Sequence, residues 1–129
     1  MIDAGIEAAG FAADVMDPAS VAAAFDRVKE RFGQVDVLEY SPAPHNPAPG
    51  LSNPTPVEAG HVSIQPQIDH YLYGGLAATE QVLPGMIERG SATISCTTGG
   101  SSMDPMAGPA EFTATAIGSS AHARSLLRP

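Results

Sequence analysis

The sequence predicts an α/β fold with parallel strands and helices on both faces, and three features carry that prediction. Two β-rich segments, Val35–Leu38 and Ala92–Thr97, lie on either side of a stretch with helical periodicity. An apolar run, Ala9–Val15, precedes a second amphipathic stretch. Strand and helix signals therefore alternate along the chain. With 129 residues and 13.2 kDa, 43% hydrophobic and 16% charged, the chain is long enough for one packed domain, assigned to residues 1–129.

Each element has a local reason. Ala9–Val15 is short, apolar and closed by an acid, as expected of a buried strand. Asp17 then caps a helix whose first position is Pro18, where the missing N–H is harmless. Val21, Phe25, Val28 and Phe32 recur at helical spacing and put one apolar stripe on it; Gly33 stops it. Val35–Leu38 reads as the next strand, completing a β-α-β unit. Six of the twelve prolines fall between Pro42 and Pro56, so residues 41–63 are expected to form a stiff loop. Ile64, Ile68, Leu72, Leu76, Thr79, Leu83 and Met86 return to a three-or-four spacing, with Pro84 a local kink and Gly90 the stop. Ala92–Thr97 forms the third strand. The alanine-rich tail from Phe112 to Leu127 reads as a last helix.

Composition removes several functions. Fourteen acids against six bases give a net charge of −8, a sign that repels phosphate backbones and argues against nucleic-acid binding. No apolar run is long enough to span a membrane. A single cysteine, Cys96, precludes an internal disulfide and fits a cytoplasmic protein. His45, His61, His70 and His122 lack the spacing of a metal site and read as solvent-facing or hydrogen-bonded side chains, so no metal is expected. Pro44 to Pro47 forms one P-x-x-P without flanking basic residues, better read as a surface loop than as a ligand for an SH3-like partner.

Four pieces in register resemble the short-chain dehydrogenase/reductase family. They are Ala13-Asp14-Val15-Met16-Asp17, the helix end and strand Arg31 to Leu38, Val82-Leu83-Pro84-Gly85-Met86, and Ala92-Thr93-Ile94-Ser95. The resemblance runs from about Gly5 to Leu127 and covers the middle of a domain that is usually about twice as long. It implies a partial Rossmann-like, three-layer α/β domain, an NAD or NADP cofactor, and hydride transfer involving a small carbonyl or alcohol substrate. Such sheets bind ligands beyond the carboxyl ends of their strands. The family's adenine-contacting acid matches Asp14, with Val15 beside it. Ser41 and Thr98 follow the next two strands and are the other expected cofactor-binding residues.

The rest of the family pattern departs. No glycine-rich phosphate turn follows a strand in this sequence, and Tyr40, Ser41, Pro42 and Ala43 replace the family's Asn-Asn-Ala-Gly. The helix asparagine falls on Tyr71, and the serine falls near Thr98 or Gly99. The tyrosine and lysine fall on Phe112 and Ala116, which have no proton to donate and no charge to lower a neighbouring pKa. The catalytic residues are therefore unassigned. The expectation is an oxidoreductase-family chain inactive as this fragment, with weak or no cofactor binding. The alternative is a non-catalytic binding or oligomerisation module. Leu72, Leu76 and Leu83 with Leu126 and Leu127 suggest a homo-oligomer. The family's strand order would leave a gap beside Ala9–Val15. That run is thus expected to pair directly with Val35–Leu38, pair with another chain, or stay disordered, while Val35–Leu38 and Ala92–Thr97 make the stable parallel pair.

Overall fold

The computed structural model describes residues 5–42, 55 and 57–97. Helix α1 (Pro18–Phe32) begins as the sequence requires: Asp17 is extended, and its carboxylate accepts from the Ala19 N–H at 3.0 Å. Gly33 ends it with φ near +80°. Strand β1 (Val37–Tyr40) follows, two residues later than the expected Val35–Leu38, because Val35 and Gln34 are taken up by contacts from another element.

The long connection then turns helical at His61, three residues before the proposed start, so the loop is shorter than 41–63. Helix α2 (His61–Gln67) runs into a π-helical turn, Ile68–Tyr73, and on into α3 (Gly74–Arg89). Pro66 and Pro84 both sit inside this continuous run. Gly90 stops it in the left-handed conformation, at φ 66° and ψ 20°. There the Gly90 N–H reaches the Ile87 carbonyl and the Ser91 N–H reaches that of Met86, closing the last turn. Strand β2 (Thr93–Cys96) pairs parallel with β1, Val37 opposite Thr93 and Tyr40 opposite Cys96. The Thr97 N–H extends the ladder to the Tyr40 carbonyl.

The expected parallel pair is thus present, but the β-α-β unit is β1, the long helix and β2. The unit expected from Ala9 to Leu38 does not form, because Ala9–Val15 is not a strand. Its backbone lies along α1 and is held by side chains of that helix. Arg27 Nη2 donates to the Ala12 carbonyl at 2.8 Å, and Ser20 Oγ accepts from the Asp14 N–H at 2.9 Å. The Arg27 guanidinium also covers the Phe11 ring, and Arg31 pairs with Glu7. The run is poor in β-branched residues, and among the described residues no neighbouring strand offers it a ladder. The tail helix proposed for Phe112–Leu127 lies outside the described residues.

The core forms where α1 and α3 meet one face of the strand pair. Val21, Leu38, Ala77, Ala78, Val82 and Met86 are buried, with Phe25, Val35, Tyr40 and Ile94 packed around them. Along α3 the innermost positions recur every four residues as Gly74, Ala78, Val82 and Met86, so side-chain bulk rises steadily toward the helix C-terminus. The bulky end fills the space under β1 and β2, and the glycine end leaves room for Tyr40. Arg89 closes the crossover at the other end of β1. It donates to Gln34 Oε1 at 2.7 Å and to the Val35 carbonyl at 2.8 Å, with Asp36 3.5 Å away.

Candidate functional site

At the carboxyl end of β1, Tyr40 reaches under the long helix. Its hydroxyl donates to the His70 carbonyl at 2.5 Å. The π turn explains why that carbonyl is available. Gly74 N–H donates to Asp69, five residues back, so His70 lacks its usual i+4 donor and the phenol supplies one. Tyr40 is half-buried, and burial together with the nearby Cys96 thiol and Tyr71 phenol pushes its pKa far above the ordinary value. It therefore stays protonated, as a donor must.

Gly74 is where three segments converge. A Cβ at this position would overlap the Tyr40 hydroxyl and lie 2.8 Å from the Val15 carbonyl. At Gly75 a Cβ would meet the Tyr40 ring at 3.2 Å. The turn carrying Asp14 and Val15 is thereby seated against the helix one turn from His70. Asp14 is exposed and well prepared: its Oδ1 accepts from the Met16 N–H at 2.9 Å, and its carbonyl accepts from the Asp17 N–H. Among the described residues, Oδ2 and the Val15 N–H form no hydrogen bond.

Of the four expected cofactor residues, the structure brings Asp14 and Val15 to this point. Ser41 follows Tyr40 directly and is exposed at the same strand end. Thr98 lies outside the described residues, as do Gly99, Phe112 and Ala116. The reading of His70 as solvent-facing or hydrogen-bonded is corrected: it is only 8% exposed, and among the described residues its Nε2 has no hydrogen-bond partner. Burial lowers its pKa, opposed by the negative charge of Asp14. Tyr71, where the family asparagine falls, packs edge-on against the His70 ring at 4.7 Å. His70, Tyr40 and Gly74 are site residues that pattern reading missed. The signal for His70 was present, since it continues the spacing of four that joins Gly74, Ala78, Val82 and Met86.

Among the described residues no group of three or more His, Cys, Asp or Glu is placed to hold a metal ion, and no helix is long and apolar enough to cross a membrane.

A family model described as short chain dehydrogenase matches residues 2–128. No curated protein matches the sequence. Among solved structures, the chain is similar to an L-sorbose reductase from Gluconobacter frateurii, complexed with NADPH and L-sorbose. Identity is 22%, covering 95% of this chain and 44% of that one, with a TM-score of 0.81. An alcohol dehydrogenase from the archaeon Thermococcus sibiricus, complexed with 5-hydroxy-NADP, is 23% identical over 98% of this chain and 51% of that one, TM-score 0.80. A short-chain dehydrogenase from Streptomyces avermitilis is 21% identical over 90% and 40%, TM-score 0.74. At these identities the likeness shows the fold, and the chain spans about half the length of the structures it matches.

The close approach at Gly74 makes a signed prediction. Replacing a mid-helix glycine by alanine ordinarily stabilises by about 0.5–1 kcal/mol. Here Gly74→Ala should instead destabilise by about 1–3 kcal/mol, because the new methyl must displace Tyr40 and the backbone of Val15. Urea unfolding of the variant and the parent checks this; a gain in stability would show that Tyr40 does not occupy the space.

Proposed function

This chain belongs to the short chain dehydrogenase family, and from that premise we propose that it forms the adenine-binding part of an NAD(P)-dependent oxidoreductase. The observation that supports this reading is the Asp14–Val15 turn: a carboxylate oxygen beside a backbone N–H, neither hydrogen-bonded among the described residues. Adenine presents a donating exocyclic amine next to an accepting ring nitrogen, so an acceptor and a donor on adjacent residues match its edge. Val15 is pinned by its carbonyl against Gly74, and Asp14 by the Met16 N–H, so the pair is ordered before a base arrives. Ser41 stands at the same edge and serves the cofactor's sugar side, with Thr98 as the fourth contact.

When bound, the nicotinamide cofactor supplies or accepts the hydride exchanged with a small carbonyl or alcohol. The chain's own contribution is limited to holding the adenosine end. Phe112 and Ala116 stand where the family's proton-donating tyrosine and its lysine fall, and neither can pass a proton. The sequence carries no strand-linked G-x-x-x-G-x-G, the pattern whose backbone amides hold a pyrophosphate in this family. We therefore expect the 129-residue chain to bind cofactor weakly and not to turn over by itself.

Titration with NADH tests both parts. Calorimetry should show no saturation in the micromolar range. NMR should show the Val15 and Met16 amides shifting at about millimolar ligand, where binding is worth roughly 4 kcal/mol. Asp14→Ala should abolish those shifts. A micromolar dissociation constant would contradict the weak binding, and unmoved Val15 and Met16 amides would contradict the site.

A second reading, association of copies of the chain, is favoured by the outer stripe of the long helix. Leu72, Leu76 and Leu83 are each only half-buried, and Ile87, in line with them, is 68% exposed. Such a stripe suits a helix-to-helix contact in a homo-oligomer. Sedimentation at tens of micromolar should give a dimer or larger species, and Leu76→Glu should return the monomer. A monomeric parent chain would remove this reading.

A further inference from the structure

Among the described residues Asp14 makes three hydrogen bonds, and they differ in where they come from. Its Oδ1 accepts from the Met16 N–H and its carbonyl from the Asp17 N–H, so both partners lie within the turn itself. The third reaches in from α1: the Asp14 N–H donates to Ser20 Oγ at 2.9 Å. Ser20 is half-buried and is the third residue of that helix. A polar side chain at this position ordinarily reaches back to the N–H of the capping residue. Here the Asp17 N–H is already taken by the Asp14 carbonyl, and the serine reaches three residues further. The two bonds inside the turn set its shape, and the bond to Ser20 sets its direction on the helix. On the opposite side the Val15 carbonyl rests against Gly74, so the turn is held between α1 and the long helix.

We propose that Ser20 is a positioning residue for the adenine site: by accepting the Asp14 N–H it fixes the one orientation in which Asp14 Oδ2 and the Val15 N–H meet a base together. The inference rests on the reading of that pair as adenine's partners. A fixed pair discriminates as well as binds. Adenine offers a donating amine beside an accepting ring nitrogen, and hypoxanthine offers the reverse, a carbonyl oxygen beside a ring N–H. Against the fixed pair, hypoxanthine sets oxygen against carboxylate and N–H against N–H, and neither protein group is satisfied. A turn free to pivot swings away from the mismatch, and the contrast between the two bases is lost. Ser20 thus acts through Asp14, without touching the base.

The 5′-monophosphates of adenosine and inosine differ only at that edge, and each is titrated into the 129-residue chain with the Val15 and Met16 amides followed by NMR. The parent should prefer the adenosine nucleotide about fivefold or more. Ser20→Ala places a good helix former in α1 and should leave the chain folded. It should weaken the adenosine nucleotide about threefold or more and bring the preference close to unity. Ser20→Thr keeps the hydroxyl and should restore both. A general loss of structure weakens the two nucleotides alike, so the ratio separates positioning from folding. A Ser20→Ala chain that keeps the parent's preference, or a threonine variant that fails to restore it, overturns the role of Ser20. The adenine reading is then decided by Asp14→Asn, which sets an amide donor in place of Oδ2 and should lose the preference. A parent chain without preference, or Val15 and Met16 amides that neither nucleotide moves, removes the site and the inference together.

Discussion

Tyr40 holds the molecule's two halves in register. Its hydroxyl supplies the His70 carbonyl with the donor that the π turn withdraws, and its ring lies in the space left by Gly74 and Gly75. Among the described residues the sheet has two strands, a pairing that is marginal by itself, so β1 and β2 depend on the helix packed across them. That helix is fastened at both ends of β1: by Arg89 at the start of the strand and by Tyr40 at its close. Between these fastenings the stripe from Gly74 through Ala78 and Val82 to Met86 widens, matching a helix that sits close to the sheet at the site and farther from it at the core. A residue larger than glycine at the narrow end would lift the helix away from the tyrosine.

The same contact builds the candidate site. Because the helix comes close at Gly74, the Val15 carbonyl can rest there, and Asp14 is carried to the carboxyl end of the strand pair where this class of sheet binds ligands. His70 is drawn into the interior by the stripe it continues, where burial disfavours the charged form of its imidazole. The contacts of Tyr40 and of the Val15 carbonyl thus fall on a short stretch, Ile68–Gly75, of the 29 residues of continuous helix from His61 to Arg89, and the irregular turn lies in that stretch.

Much of this was legible before the structure. Capping by Asp17 and Pro18, the stop at Gly90, and the parallel pairing of the Val35 and Ala92 regions all follow from strong local chemistry, and each is present. Ala9–Val15 was misread because an apolar run states that a segment is buried or extended, not what satisfies its backbone. Here α1 does so through Arg27 and Ser20, which no periodicity reveals. The leucines of the long helix drew attention as its apolar face, yet the innermost face is made of glycine, alanine, valine and methionine. Hydrophobicity alone ranks leucine first, whereas close packing at a narrow approach selects small residues. Asp14 and Val15 were identified by resemblance. Tyr40 was not, since its hydrogen bond depends on a carbonyl freed by a π turn that leaves no mark in the sequence, whereas the burial of His70 was legible in its spacing of four from Gly74.

Amide hydrogen exchange in Tyr40→Phe tests the central dependence most directly. The substitution keeps the ring and removes only the hydroxyl that reaches His70. If that bond holds the helix on the sheet, exchange should quicken together at the π turn, at Gly74–Ala78 and at Val15–Asp17, while the Arg89 end of the helix keeps its protection. Faster exchange confined to Tyr40 and its strand neighbours, with the π turn and the Asp14 turn unchanged, would contradict the account.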